Sequence, residues 1–214
     1  MPKTTCHISV SLDGFVAGPD ATPDEPLGRG GERLHEWALA TAAWRAEHGR
    51  EGGEENVDSE VIARVTTGVG ACIMGRRMWD GGDGPLDPAW QGWWGDEPPF
   101  HTPVFVLTHH PREPLALTGT TFHFVDGIDA ALAAAREAAD DQDVMVVGGG
   151  QAVQEVLRAG ELDELWLHVA PVVLSGGAPL WHGVGDPVLE PVEVLASPAV
   201  THVRYRVGGQ RRPA

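Results

Sequence analysis

The stretch Asp143-Val144-Met145-Val146-Val147-Gly148-Gly149-Gly150-Gln151-Ala152 decides how this chain reads. An apolar, β-branched run stops at consecutive glycines, and a helical pattern starts directly after them. Val144 to Val147 has the composition of a strand buried on both faces. Ala152, Val153, Val156 and Leu157 recur at helical spacing, which predicts a helix over 151–159 with Gly160 as its stop. A strand, a glycine turn and a helix N-terminus put backbone N–H groups where an anion such as a dinucleotide pyrophosphate can meet them. The same glycines also serve a tight turn that needs positive φ and binds nothing. On this stretch alone the two readings stand level.

Working outward, strands are expected over Thr5–Leu12, Gly70–Met74, Pro103–Thr108, Thr121–Val125 and Glu164–Val173, the last bent near Pro171. Val188–Leu195 and Thr201–Val207 read as a closing antiparallel pair. Helices are expected over Glu32–His48, over Glu60–Thr67 capped by Asp58 or Ser59, and over Gly127–Ala139 capped by Asp126. Asp13-Gly14 marks a turn, and the stretch after Gly18 up to Gly31 a surface loop or mobile lid. Strands alternate with helices and then pair at the end. That is an α/β chain with a mostly parallel central sheet and an antiparallel C-terminal edge.

The 214 residues fit one domain, 1–214, with ample length for a core. The net charge of −16 argues against a nucleic-acid or anionic-membrane surface, though not against a small phosphorylated ligand. No apolar run approaches the ~18 residues of a membrane span, and Met1–Thr5 lacks signal-peptide character, so a cytoplasmic location is expected. Cys6 and Cys72 sit in apolar runs and read as reduced core residues. No Cys/His spacing suits a metal.

Gly75-Arg76-Arg77 and Thr108-His109-His110 also follow strands. If those strands neighbour Val144–Val147, the ends form one groove, since ligands of open α/β sheets bind beyond the carboxyl ends of strands. Arg76 or Arg77 could then read the 2′-phosphate of NADPH by its planar fork, or simply form a solvated helix start. An ordinary Rossmann arrangement is excluded by position. Its glycines follow the first strand, with an acid about 20 residues on. Here the first strand ends at Asp13-Gly14 and the glycine run comes late.

At this point a resemblance becomes specific. ISVSLDGFVAG (Ile8–Gly18), GACIMGRRMWD (Gly70–Asp80), PVFVLTHHP (Pro103–Pro111), DVMVVGGGQAV (Asp143–Val153) and LDELWLHVAPVVLSGGAPLW (Leu162–Trp181) occur in order. Together the sequence resembles the dihydrofolate reductase superfamily, on the branch of the reductase domain of the bifunctional riboflavin-biosynthesis deaminase/reductase. The match runs roughly from Lys3 to Val207. It implies a central sheet of about eight strands with helices on both faces. It implies NADPH, with Val16 and Ala17 at the nicotinamide and Gly75, Arg76 and Arg77 at the adenosine phosphates. Thr108 and His109 would flank the ribose phosphate, and Gly148, Gly149, Gly150, Gln151 and Ala152 would hold the pyrophosphate. A cis peptide between two of the glycines also belongs to the family pattern.

The reaction implied is hydride transfer to a C=N or C=O carbon of a small planar heterocycle, pterin-like or pyrimidine-like. Three residues are candidate proton donors: Glu36 on the first helix, Asp13 at the turn, and His168 on a strand. Each also has a plain structural reading, as a solvated helical residue, a turn former and a sheet histidine. The riboflavin reductases carry a basic residue where Phe15 stands, which weakens a ribose-phosphate substrate. Their arginine-bearing substrate loop has no counterpart between Gly75 and Thr102. That region holds Trp79, Trp90, Trp93, Trp94 and Phe100, which suit an apolar substrate pocket, packing on the chain's own sheet, or a dimer interface. The readings carried forward are an NADPH-dependent reductase, a riboflavin-pathway reductase of a ribosylaminopyrimidine phosphate, and a nucleotide-binding protein without chemistry. The family pattern also implies a homodimer.

Overall fold

The computed structural model describes residues 2–22, 24–82 and 84–210. In chain order its strands are β1 (Thr4–Val10), β2 (Phe15–Ala17), β3 (Val69–Gly75), β4 (Val104–Leu107), β5 (Leu115–Leu117), β6 (Thr120–Val125), β7 (Asp143–Gly148), β8 (Glu164–Val169), β9 (Ala178–Pro179), β10 (Pro187–Ala196) and β11 (Thr201–Gln210). Its helices are α1 (Glu36–Leu39), α2 (Ala42–Glu47), α3 (Val57–Val65), α4 (Arg76–Asp80), α5 (Ile128–Ala139) and α6 (Gly150–Ala159), with a 3-10 turn at Gly31–Leu34.

Among the described residues one sheet of nine strands runs in the order β10-β11-β8-β1-β7-β3-β4-β6-β5. The pairs from β8 to β6 are parallel. β11 and β10 close one edge antiparallel, and β5 closes the other. β2 and β9 form a separate antiparallel ribbon.

Side chains alternate across the strands, so each strand feeds two cores. Cys6, Ile8 and Val10 of β1 join Val144 and Val146 of β7 under α5 and α6, where Ala131, Leu132, Val153 and Leu157 cover them. Met145 turns the other way with Cys72, Met74, Val104, Val106, Phe122 and Phe124. Trp79, fully buried, covers that face with its ring 4.5 Å from Phe122. Burial pushes both thiols, Cys6 and Cys72, up to about 12, as expected of inert core cysteines.

Several local expectations are corrected. The helix expected over Glu32–His48 is broken into the 3-10 turn, α1 and α2. Glu54 donates its N–H to the Ala40 carbonyl and accepts the Ala42 N–H, which takes that backbone out of the helix. Thr41 is extended there, and its side chain accepts from the Trp44 N–H to start α2 afresh. The cap of α3 is Asn56, which accepts from the Ser59 N–H, and Asp58 is buried instead. Asp126 does not cap α5; its carboxylate lies 2.7 Å from His109 Nδ1. β8 ends at Val169, before Pro171, so the proline lies outside the strand. The described peptide bonds are all trans, including those of the glycine run.

Candidate functional site

β7, β3 and β4 are neighbours and run parallel, so Gly148, Gly75 and Leu107-Thr108 end side by side. The glycine run reverses direction with Gly148 at φ 131° and Gly149 at φ 45°, both positive. α6 then begins at Gly150 with no side chain capping it. Its first-turn N–H groups, which include those of Gln151 and Ala152, have no intrahelical acceptor, as at the start of any α-helix. Gln151 is exposed, whereas Ala152 is buried against the sheet.

The glycines make room as well as turns. A Cβ on Gly75 would meet the Ala152 Cβ and the Gly148 carbonyl, each at 3.4 Å. Gly148 has the Met78 sulfur 3.3 Å from a built Cβ. A Cβ on Gly150 would come within 2.9 Å of Val16 Cγ2. β2 therefore lies directly on the start of α6, which brings Val16 and Ala17 to the same end of the sheet as Gly148–Gly150. Gln154, one turn into α6, donates from Nε2 to the Pro179 carbonyl at 2.7 Å and so holds β9 in place.

Arg76 and Arg77 part company. The Arg76 guanidinium is held by the Asp80 carboxylate through contacts of 2.7–2.9 Å. It also donates to the Gly84 carbonyl at 2.7 Å and reaches Thr108 Oγ1 at 3.3 Å. With only 11% of its side chain exposed, Arg76 ties α4 to the end of β4. Arg77 is exposed on the same short helix. Thr108 is buried and accepts from the His110 N–H, which shapes the turn after β4. His109 is 90% exposed, and its pair with Asp126 is a solvated one.

The three proton-donor candidates lie apart. Glu36 is exposed on α1. Asp13 accepts from the Leu174 and Ser175 N–H groups at 3.1 and 2.7 Å, fastening the turn after β1 to the segment after β8. The Ser11 hydroxyl first, and then these N–H groups, hold its carboxyl below the usual range. His168 is buried near the end of β8, and its Nδ1 lies 2.8 Å from Nδ1 of His202. Burial, with the nearby His7, His202 and His35, holds its pKa well below the usual value, so it is neutral.

Sequence reading missed the residues around His168. Asp58 looked like a helix cap, and His202 like any residue of an alternating strand. Asp80 had a legible signal, because it lies four residues after Arg76 on a helix. The tryptophan-rich loop packs on the chain's own sheet. Trp94 stacks on Phe122 at 6.1 Å, Trp90 donates to the Trp79 carbonyl, and Trp93 donates to the Met78 carbonyl.

A cavity of about 270 Å³ opens at the opposite ends of the strands, bounded by Thr5, His7, Arg64, Glu164, Trp166 and Arg204. Its charges are largely matched among themselves, Arg204 with Glu193 and Glu164. No group of three or more His, Cys, Asp or Glu among the described residues is arranged for a metal. No described helix is long and apolar enough to cross a membrane.

Comparison with known proteins agrees with this architecture. The model of the RibD C-terminal domain matches residues 2–203. A solved structure from Shewanella sp. PV-4, named for riboflavin biosynthesis, aligns at a TM-score of 0.63 with 20% identity, covering 96% of this chain and 98% of that one. A pyrimidine reductase-like protein from Corynebacterium diphtheriae aligns at 0.56 with 12% identity, covering 96% and 92%. Dihydrofolate reductase from Enterococcus faecalis, complexed with NADP(H), aligns at 0.53 with 14% identity, covering 96% of each chain. No curated protein matches the sequence. These structural likenesses establish a dihydrofolate reductase-like fold, and the match over 2–203 places the chain in the RibD C-terminal domain family.

Proposed function

We propose that the chain is a reductase that uses NADPH to reduce a C=N or C=O bond in a small planar heterocycle of the pyrimidine or pterin type. The observation that carries this reading is the uncapped start of α6 at Gly149–Gly150, set beside Gly75 and Thr108 at the ends of adjoining parallel strands. Family membership supports the reductase class.

The residues fit the cofactor in kind. The first turn of α6 offers N–H donors and the favourable end of a helix dipole to a pyrophosphate. Gly75 and Gly149 leave space for close backbone approach. Arg77, Thr108 and His109 suit the ribose phosphate, with Arg76 holding Thr108 in place. Val16 and Ala17 supply an apolar wall for the nicotinamide. When bound, the cofactor supplies the hydride; the protein supplies position, exclusion of water and a proton.

Titration with NADPH, followed by its fluorescence, tests the reading. Saturation below hundreds of micromolar is expected, with weaker binding of NADH. Absence of binding would sink it. Turnover is then tested with dihydrofolate and with 5-amino-6-ribosylaminopyrimidine phosphate. Membership of the RibD C-terminal domain family favours the second substrate, and Phe15 in place of a basic residue favours one without a phosphate. Complementation of a strain lacking the riboflavin-pathway reductase separates the two. Binding of NADPH without turnover of any heterocycle would instead indicate a nucleotide-binding protein.

A further inference from the structure

A buried chain of hydrogen bonds runs from α3 through β11 to β8. Asp58 Oδ1 lies 2.9 Å from His202 Nε2, and His202 Nδ1 lies 2.8 Å from His168 Nδ1. The exposures of Asp58, His202 and His168 are 2%, 0% and 3%. Strand register sets the geometry: His202 is paired directly with His168, and His168 with Ser9. The Trp37 ring packs on both imidazoles at 4.8 and 4.9 Å and donates its Nε1–H to Ser9 Oγ. His168 is the last residue but one of β8. Its strand is separated by β1 alone from β7, whose end carries Gly148. The histidine therefore stands at the same end of the sheet as the glycine turn.

The chemistry of this chain follows from its partners. Asp58 Oδ2 also accepts the Ser197 hydroxyl at 2.8 Å, and with Asp58 taken as a carboxylate both of its oxygens are acceptors. His202 then carries a proton on Nε2. A single proton lies between the two Nδ1 atoms, because two lone pairs or two N–H groups would repel at that distance. With the proton on His202, that ring is an imidazolium beside a carboxylate, and His168, being neutral, holds its own proton on Nε2. With the proton on His168 Nδ1, the neutral His168 has a bare Nε2. Nε2 of His168 has no hydrogen-bond partner among the described residues. Around these rings stand His7 and Ser9 from β1, His35 just before α1, Trp37 within α1, and Trp166 from β8. Glu164 acts on His7 and Arg204 lies over Trp166.

We propose that Asp58, His202 and His168 form a proton relay that delivers a proton from His168 Nε2 to the heteroatom of the bond being reduced. The proposal rests on the reductase reading. A bound reduced nicotinamide would supply the hydride for the new C–H bond, and the C=N or C=O π pair would move to nitrogen or oxygen. That atom takes the proton from His168 Nε2. The Nδ1–H of His202 passes to His168 Nδ1 in the same motion, so His168 stays neutral throughout. The hydride's electron pair would come from the nicotinamide, which would be left oxidised, and the relay regains one proton from water. His168 is the proton donor; His202 and Asp58 are positioning residues that set which tautomer it adopts.

The experiment uses the intact chain as the near-isosteric variants Asp58→Asn and His168→Gln. Long-range ¹H–¹⁵N NMR of histidine side chains reads the proton on each ring nitrogen without substrate. Asp58→Asn is expected to shift His168 from protonation at Nε2 toward Nδ1. With NADPH and whichever heterocycle turns over, His168→Gln is expected to lower kcat about 10²-fold. Asp58→Asn is expected to lower kcat less, to move the pH profile of kcat, and to leave KM and NADPH affinity nearly unchanged. Native kcat and pH profile in both variants, with NADPH still bound, would overturn the relay and leave the reductase reading standing. An unchanged His168 tautomer in Asp58→Asn would also overturn it. Failure of the native chain to bind NADPH would remove both.

Discussion

Val16 and Gly150 are packed so closely that a Cβ added to the glycine would lie 2.9 Å from Val16 Cγ2. Val16 is buried and β-branched, so its methyl has little freedom to move aside. Gly150→Ala is therefore expected to displace β2 from the start of α6 at a cost of about 1–3 kcal/mol. Adding Val16→Ala to the same chain is expected to recover part of that loss, because the two changes share one contact. Thermal unfolding of the single and double variants checks this. Additive losses would mean that the contact is not the cause.

Gly149 has a built Cβ that clears its neighbours, the nearest being Gly75 Cα at 3.8 Å. Its positive φ of 45° is the obstacle. Gly149→Val is expected to destabilise the turn by roughly 1–3 kcal/mol and to abolish NADPH binding. Fluorescence titration of the folded variant measures the second effect. Retained affinity would leave the glycine run as a turn only.

Arg76 and Arg77 are expected to fail differently. Arg76→Ala leaves the half-buried Asp80 carboxylate without its guanidinium and frees Thr108, so a stability loss of about 1–3 kcal/mol is expected. Asp80→Ala should show a similar loss, and the double variant less than the sum. Arg77→Ala, at an exposed position of α4, is expected to weaken NADPH more than NADH. Denaturation curves and paired titrations separate the two arginines. Equal loss of both cofactors in Arg77→Ala would mean that this side chain does not read the 2′-phosphate.

The histidines set an acid limit. Burial lowers His7 to about 4 and holds His35 and His168 below their usual value. Between the folded and unfolded pKa values the unfolded chain binds more protons, so stability rises with pH across that window. Conversely it is lost as pH falls from about 6.5 toward 4, by up to ~1.4 kcal/mol per pH unit for each such histidine. Chemical denaturation from pH 7 to pH 4 tests the slope. His7→Gln is expected to make it shallower, and an unchanged slope would remove His7 from the account.

Strands, the order of motifs and the glycine run at 148–150 were legible because each is a local pattern. Alternation in β1, the valines of β7 and the stop at Gly160 need only neighbours in the chain. The break at Thr41 was not legible, because Glu54 causes it from thirteen residues downstream. Asp58 illustrates the same limit. A capping aspartate and a buried partner of His202 look alike in sequence, and the pair is separated by 144 residues. Likewise Trp79, Trp90 and Trp94 suited a pocket as well as a core, and the structure packs them with Phe122 and Phe124.

By itself the sequence determined the α/β class, the placement of glycines at strand ends and the family resemblance, since periodicity and turn chemistry act over a few residues. Only the tertiary structure decided that β7, β3 and β4 lie side by side, that Asp80 occupies Arg76, and that Asp58, His202 and His168 meet. Strand order and side-chain partners depend on packing between distant segments, and no local pattern encodes which of several suitable partners a buried polar group will find.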